Sequence, residues 1–175
     1  SVPRSMVNDK GYIRGFDVRT GKRLWIFRTI PRPGEFGNDT WLNDSWSYTG
    51  NTGEWAQISA DEQLGLAYLP VEMPTHDYYG GDRPGNNPFS ESIVAVDLKT
   101  GQRKWHYQLV HHGLWDNDIP CAPILIDVTI SDGPAPGNGH GTESADGVDE
   151  ANDDDDTIVV VDAIVAELAA APPDD

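Results

Sequence analysis

An all-β fold assembled from repeated hairpins is what this sequence predicts, and three observations predict it. The first is an internal repeat. The segment "GFDVRTGKRLW" at Gly15–Trp25 returns as "AVDLKTGQRKW" at Ala95–Trp105, 80 residues further on, and self-similarity this detailed outranks local propensity. The second is alternation of apolar and polar residues at strand period in several short runs. The third is the lack of any convincing amphipathic helix before residue 130, in a chain punctuated by Gly, Pro, Asn and Asp. Many short strands with regular turns suggest a sandwich, a barrel or a propeller. A long repeat that closes on a tryptophan favours the propeller, which is built by radial repetition.

Each copy of the repeat reads as a hairpin. "IRGFD" (13–17) and "IVAVD" (93–97) alternate as strands do. The Asp-x-x-Thr-Gly that follows predicts a tight turn, with Gly21 and Gly101 free to take positive φ. The chain returns as "KRLWIF" (22–27) and "QRKWHY" (102–107), and the flat faces of Trp25 and Trp105 are available to dock against a neighbouring unit. Between the copies, "EWAQISAD" (54–61) and "GLAYLPVE" (65–72) are strand candidates. "RPGEFGNDTW" and "HDYYGGDRPGNNP" read as loops. After the second copy, "CAPILIDVTI" (121–130) predicts another strand.

Composition bounds the remaining classes. A chain of 175 residues suffices for one domain with a core. No run approaches the about 18 apolar residues that a membrane-crossing helix requires. No signal pattern opens the chain, but "SVPRSMVNDKGYIRGFD" reads as the interior of a domain, so this says little about export. The single cysteine, Cys121, excludes an internal disulfide and a Cys-based zinc site, and its apolar neighbours predict a buried, inert thiol. All twelve Lys and Arg residues lie at or before Lys104, within a net charge of −17. Residues 1–130 thus carry −4 and residues 131–175 carry −13. A net-negative body without a basic stripe excludes nucleic acid as the expected partner.

The charge asymmetry divides the chain into 1–130, the candidate propeller, and 131–175, an acidic low-complexity tail expected to be disordered. Within it, "TIVVVDAIVAELAAA" (157–171) predicts a short helix with Asp156 or Thr157 as N-cap, although its β-branched first half leaves a strand open. The abrupt loss of basic residues predicts a non-homologous ending such as a frameshift product. The rival reading is a genuine solvating tail.

The tandem motifs resemble the tryptophan-docking repeat of quinoprotein dehydrogenases, eight-bladed propeller enzymes that use pyrroloquinoline quinone (PQQ) and a metal ion. The likeness extends to "ADEQLGLAYLP", "YYGGDRP" and "VHHGLWDNDIPCAPILIDVTI". It covers about residues 10 to 130 and fits the branch of membrane glucose and quinate dehydrogenases. This resemblance implies a dehydrogenase of alcohols or sugars that passes electrons to a quinone or cytochrome and faces the periplasm. A non-catalytic propeller of the same repeat family, serving as scaffold or assembly factor, is the alternative. Such a protein has no need of Trp55 together with Asp116.

By the same resemblance, Asp116 is the catalytic base and a metal ligand, since an alcohol must lose a proton as hydride leaves. A hard cation with oxygen ligands implies calcium, or alternatively magnesium or a lanthanide. Asp118 is either a second ligand to that cation or a turn cap. If residues 116–118 are extended, both carboxylates share one face. Trp55 matches the tryptophan that stacks on the quinone, and Thr75 a cofactor-proximal threonine. Where the family places a metal-binding Asn, this chain has Met73, with Glu72 and Thr75 as the nearby polar candidates. Trp115 is expected to orient the Asp116 loop. Asp82 and Arg83 are expected to hold a loop, and the pair His111 and His112 is expected to be structural. Trp41 and Trp46 carry no assignment. "GDRPGN" and "GYIRG" lack the strand–loop–helix context of a nucleotide site. The chain supplies two blades and parts of others, without the family's basic residue after "LIDVTI" or its upstream metal-binding Glu. The resemblance therefore implies that the chain alone has little activity.

Overall fold

The computed structural model of the protein describes residues 8–76 and 78–126. The chain divides into one unit at Ser1–Pro123 and a second at Ile124–Asp175. The helix expected over 157–171 lies outside the described residues.

Among the described residues are six strands and two 3-10 segments. Strands β1 (Tyr12–Phe16) and β2 (Arg23–Arg28) form an antiparallel pair. Strands β3 (Ser59–Asp61), β4 (Leu66–Val71), β5 (Ser92–Asp97) and β6 (Arg103–Gln108) form a four-stranded antiparallel sheet in sequence order. The two copies of the repeat, β1–β2 and β5–β6, are superimposable in register. Gly15 faces Trp25 as Ala95 faces Trp105, and each pair is followed by a bulge, between Gly15 and Phe16 and between Ala95 and Val96.

The turns match atom for atom. Asp17 Oδ1 accepts from the Thr20 N–H at 2.7 Å and the Thr20 hydroxyl at 2.8 Å, and Asp97 Oδ1 from those of Thr100 at 2.8 and 3.0 Å. The Thr hydroxyl bond leads the causes that hold the Asp17 carboxyl below its usual range, and for Asp97 the Thr100 N–H leads. Gly21 and Gly101 close the turns at φ 69° and 68°, in the left-handed region that glycine enters without cost.

Trp25 docks as its repeat position predicts. Its indole N–H donates to the Leu98 carbonyl at 2.9 Å. A Cβ on Gly101 would sit 2.5 Å from its ring, so the glycine of the second turn admits the tryptophan of the first hairpin. Trp105 instead meets Tyr68 within its own sheet, ring centroids 5.8 Å apart. The core joins Ile13 and Phe27 of the first sheet to Leu69, Val71, Phe89, Val94 and Val96, with Trp25 and Leu98 packed against it. β4 and β5 are buried almost throughout, as central strands covered on both faces are.

Two strand expectations are corrected. Of "EWAQISAD" only Ser59–Asp61 is a strand, because Trp55 is drawn away to another partner. Cys121–Ile126 is not strand. β-propensity is realised only against a partner strand, and the hydrogen bond here runs from the Ser59 hydroxyl to the Pro123 carbonyl rather than along a strand ladder. Cys121 is a free, half-buried cysteine rather than a buried one. No helix among the described residues is long and apolar enough to cross a membrane.

Replacing Trp25 by Phe keeps most of the docking surface and removes the bond to Leu98. The expected loss is about 1 kcal/mol of unfolding free energy, and Trp25→Ala is expected to cost about 3 kcal/mol, both read from urea denaturation midpoints.

Candidate functional site

The site begins where β4 runs out. Residues 50–53 run beside 72–75 and continue the sheet in irregular form. The Thr75 N–H donates to the Gly50 carbonyl and the Glu72 N–H to that of Gly53, each at 3.1 Å. The Thr52 N–H donates to the Met73 carbonyl at 3.1 Å. The Asn51 side-chain amide also donates to the Met73 carbonyl at 2.8 Å, and the Thr75 hydroxyl accepts from the Gly50 N–H at 3.0 Å. This lacing leaves the chain free to turn outward at Trp55, which is 52% exposed.

The loop after β6 reaches the same place. Met73, fully buried, receives it twice. Its N–H donates to Asp118 Oδ1 at 2.9 Å, and its thioether sulfur accepts from the Asp116 N–H at 3.1 Å. The other Asp118 oxygen accepts from the Trp55 indole N–H at 3.0 Å. The fold thus gathers Trp55, Asp116 and Asp118 around one residue.

Further back the loop is pinned by buried polar groups. Arg83, 1% exposed, donates from Nη2 to the Gly113 carbonyl at 2.5 Å and from Nη1 to Asn87 Oδ1 at 3.1 Å. Its Nε approaches the Thr75 carbonyl at 3.4 Å. His112 Nδ1 donates to the Gly85 carbonyl at 2.9 Å, the structural role expected of this histidine. Asp82 pairs with His76 at 2.8 Å, and its carbonyl accepts from the Tyr48 hydroxyl at 2.6 Å. Asp82 and Arg83 hold their loop as anticipated. Glu91 is completely buried at φ 46°, a conformation that costs about 1–3 kcal/mol for a residue other than glycine. Its carboxylate occupies the space that a Cβ on Gly113 would fill.

The charges of Asp116 and Asp118 lie close enough to act on two buried acids, Glu72 and Glu91. Burial pushes Glu72 up to about 8, and the charges of Asp118, Asp116 and Glu54 add to the rise against the pull of the Gly53 backbone N–H. Burial raises Glu91 to about 7, opposed by the Arg83 charge and aided by those of Asp118 and Asp116. Glu72 Oε1 is buried without a hydrogen-bond partner. Among the described residues no three His, Cys, Asp or Glu side chains converge tightly enough to hold an ion by themselves.

The anticipated residues therefore separate. Trp55, Asp116 and Asp118 come together. Thr75 is buried, 2% exposed, and lines a cavity of about 230 Å³ with Tyr48, His76, Asp82 and Arg83. Arg83 is its link to the Asp116 loop. The premise that 116–118 is extended is not met. The segment is not strand, and Asp116 sits at φ 54° in the left-handed region, so strand alternation does not align the two carboxylates. Asp118 is not a turn cap either, since its partners are 45 and 63 residues away. Trp115, 74% exposed, does not pack the loop in place; Met73, Arg83 and Gly113 do. Trp41 proves to be core, its indole N–H on the Pro88 carbonyl at 2.6 Å. Glu91 was invisible as a site residue, since no local pattern ties "FSES" to Gly113; Met73 stood at the family's metal-binding position, but nothing in the sequence showed that its backbone and sulfur anchor the Asp116–Asp118 loop.

Residues 3–140 match the protein-family model described as the PQQ glucose/ethanol/alcohol dehydrogenase β-propeller domain. The span is wider at both ends than the 10–130 read from motifs. Quinoprotein glucose dehydrogenase of Escherichia coli (strain K12) is 42% identical over 123 residues, covering 69% of this chain and 15% of that protein. Among solved structures, quinohemoprotein alcohol dehydrogenase from Comamonas testosteroni aligns with a TM-score of 0.64 at 26% identity, over 74% of this chain and 21% of that one. A europium-containing methanol dehydrogenase aligns with a TM-score of 0.62 at 26% identity, over 73% and 25%. The chain spans 15–17% of the length of the first curated relatives it matches.

Two outcomes follow from the buried acids. Gly113→Ala drives a methyl into the Glu91 carboxylate and is expected to cost about 2 kcal/mol, measured by denaturant unfolding. In metal-free protein, Glu72 and Glu91 keep protons in the fold that the unfolded chain releases above its pKa of about 4.5. Their contribution to stability is full below that pH and is lost as pH rises through 7 and 8. The slope of stability against pH is expected to flatten in Glu91→Gln, and an unchanged slope would contradict the assignment.

Proposed function

The chain belongs to the PQQ glucose/ethanol/alcohol dehydrogenase β-propeller family, and from that premise we propose that it is part of an enzyme that oxidises an alcohol or a sugar with PQQ and a metal ion. The observation that carries this reading is the meeting of Trp55 with the Asp116–Asp118 loop through a 3.0 Å hydrogen bond. A half-exposed tryptophan stands beside a group of carboxylates, held there by the bridge that Asp118 makes between its indole and the Met73 N–H.

The residues fit the two parts of the cofactor. Trp55 offers a broad ring, half exposed, as a floor for a planar quinone. The buried Glu72 oxygen without a partner, set among Asp116 and Asp118, is an excess of oxygen ligand and negative charge of the kind a hard cation relieves. In this reading Asp116 and Asp118 hold the metal, and Thr75 is a further cofactor contact. The bound cofactor supplies two-electron oxidation, and its cation, calcium or alternatively magnesium or a lanthanide, the Lewis acid. Asp116, exposed on its loop, accepts the alcohol proton. Trp55 shields one face of the reacting pair from water.

The wider reading follows from the family. The sheets belong to an eight-bladed ring; the described residues hold β3–β6 as one blade and β1–β2 as part of another, fewer than the two blades and parts of others expected from the sequence. The rest of the ring supplies the remaining pocket, and electrons pass to a quinone or cytochrome on the periplasmic side of a membrane. The scaffold alternative is not favoured: the relatives named above are dehydrogenases by name, and a scaffold gains nothing from the Trp55–Asp118 meeting.

Reconstitution of the full-length gene product with PQQ and calcium, or a lanthanide, tests the proposal. Dye reduction is expected with the wild-type protein. Asp116→Ala is expected to lower it by a factor of about 100 or more, and wild-type turnover in that variant would remove the base from Asp116. The 175-residue chain alone is expected to turn over little.

A further inference from the structure

We infer that Asp118 is the positioning residue for Trp55, clamping the indole by its N–H so that the ring stands preset for a planar ligand. The inference rests on the proposed cofactor reading for what the ring is for, but the clamp itself is drawn from contacts already described.

A half-exposed tryptophan has rotamers to lose when a ligand stacks on it, and that entropy is subtracted from affinity. Trp55 is not free to sample them. Its only polar side-chain atom, Nε1, donates to Asp118 Oδ2 at 3.0 Å. A carboxylate acceptor makes this a charge-assisted bond, about twice as strong as a neutral one. The clamp is itself held. Asp118 Oδ1 accepts from the Met73 N–H at 2.9 Å, and Met73 is buried with its carbonyl fixed by Thr52 and Asn51. Both Asp118 oxygens are engaged, each by a donor from a different segment, so the side chain works as a two-ended strut between the β4 terminus and the ring. The Asp116 N–H rests on the sulfur of the same Met73. Floor and base are therefore referenced to one buried residue, and a shift of either is resisted by the core.

The carboxylate is needed for this, because two N–H donors require two acceptor oxygens. An asparagine has one, and its amide nitrogen would face a donor. Asp118→Asn keeps size and loses one end of the strut.

The test uses the full-length protein labelled with 15N-tryptophan, with Trp55→Phe to identify the Trp55 indole resonance. In Asp118→Asn, without cofactor, that resonance is expected to move upfield as the charged acceptor is lost. PQQ dissociation constants, from fluorescence titration, are expected to rise about five- to tenfold in Asp118→Asn. In Trp55→Phe, which has no indole N–H to clamp, adding Asp118→Asn is expected to raise them by a smaller factor, the part that belongs to its hold on the metal. An unmoved resonance overturns the inference. So does an equal loss from Asp118→Asn in both backgrounds, the behaviour of a residue acting on the metal alone. If the wild-type protein binds no PQQ, the cofactor reading fails, while the indole resonance still decides the clamp.

Discussion

Met73 is the point from which the site hangs. Its carbonyl takes two donors, its N–H serves one carboxylate, and its sulfur receives the backbone of another. No water reaches it, so each of these groups must be satisfied inside the protein. That obligation fixes the segments carrying Trp55, Asp116 and Asp118 relative to the end of β4. Were the position polar and solvated, the same backbone groups could bond to water, and nothing would hold the loop after β6 against the strand. An apolar residue thus organises a polar site by denying its neighbours an alternative.

A second layer of buried charge supports the first. Arg83 grips the Gly113 carbonyl, and Glu91 fills the space beside the same residue. Buried charges of this kind add little net stability, because desolvation offsets their attraction. Their effect is geometric: each constrains the loop from a direction that packing alone would leave soft. The backbone strain at Glu91 and Asp116 sits in these over-determined places, where the surroundings sustain it.

Much of the fold was legible because it is written twice. The Asp-x-x-Thr-Gly turn, the bulge beside it and the closing tryptophan recur at fixed spacing, and a repeat carries its own confirmation. Trp25 on Leu98 is the contact the pattern calls for. "CAPILI" shows the limit, since apolar alternation says that a segment suits a strand and not that a partner lies beside it. In the site, Trp55 and the Asp116 loop were legible as residue types in a familiar order. Their connection was not. Asp118 meets Trp55 across 63 residues and Met73 across 45, and the whole β5–β6 hairpin separates Glu91 from Gly113 in sequence. The left-handed backbone at Asp116 overturned the argument from strand alternation, because a single φ decides which way a side chain two residues on will point.

The docking of Trp25 has a mechanical consequence. The indole belongs to one hairpin and its acceptor to the next turn of the chain, 73 residues away, so the seam between sheets is stitched by a rigid ring rather than a flexible side chain. Load on one sheet is passed to its neighbour with little give, as between the staves of a cask. A structure joined in this way does not soften gradually from one end. It stays tight until a seam lets go, and the parts on either side then lose their common frame together.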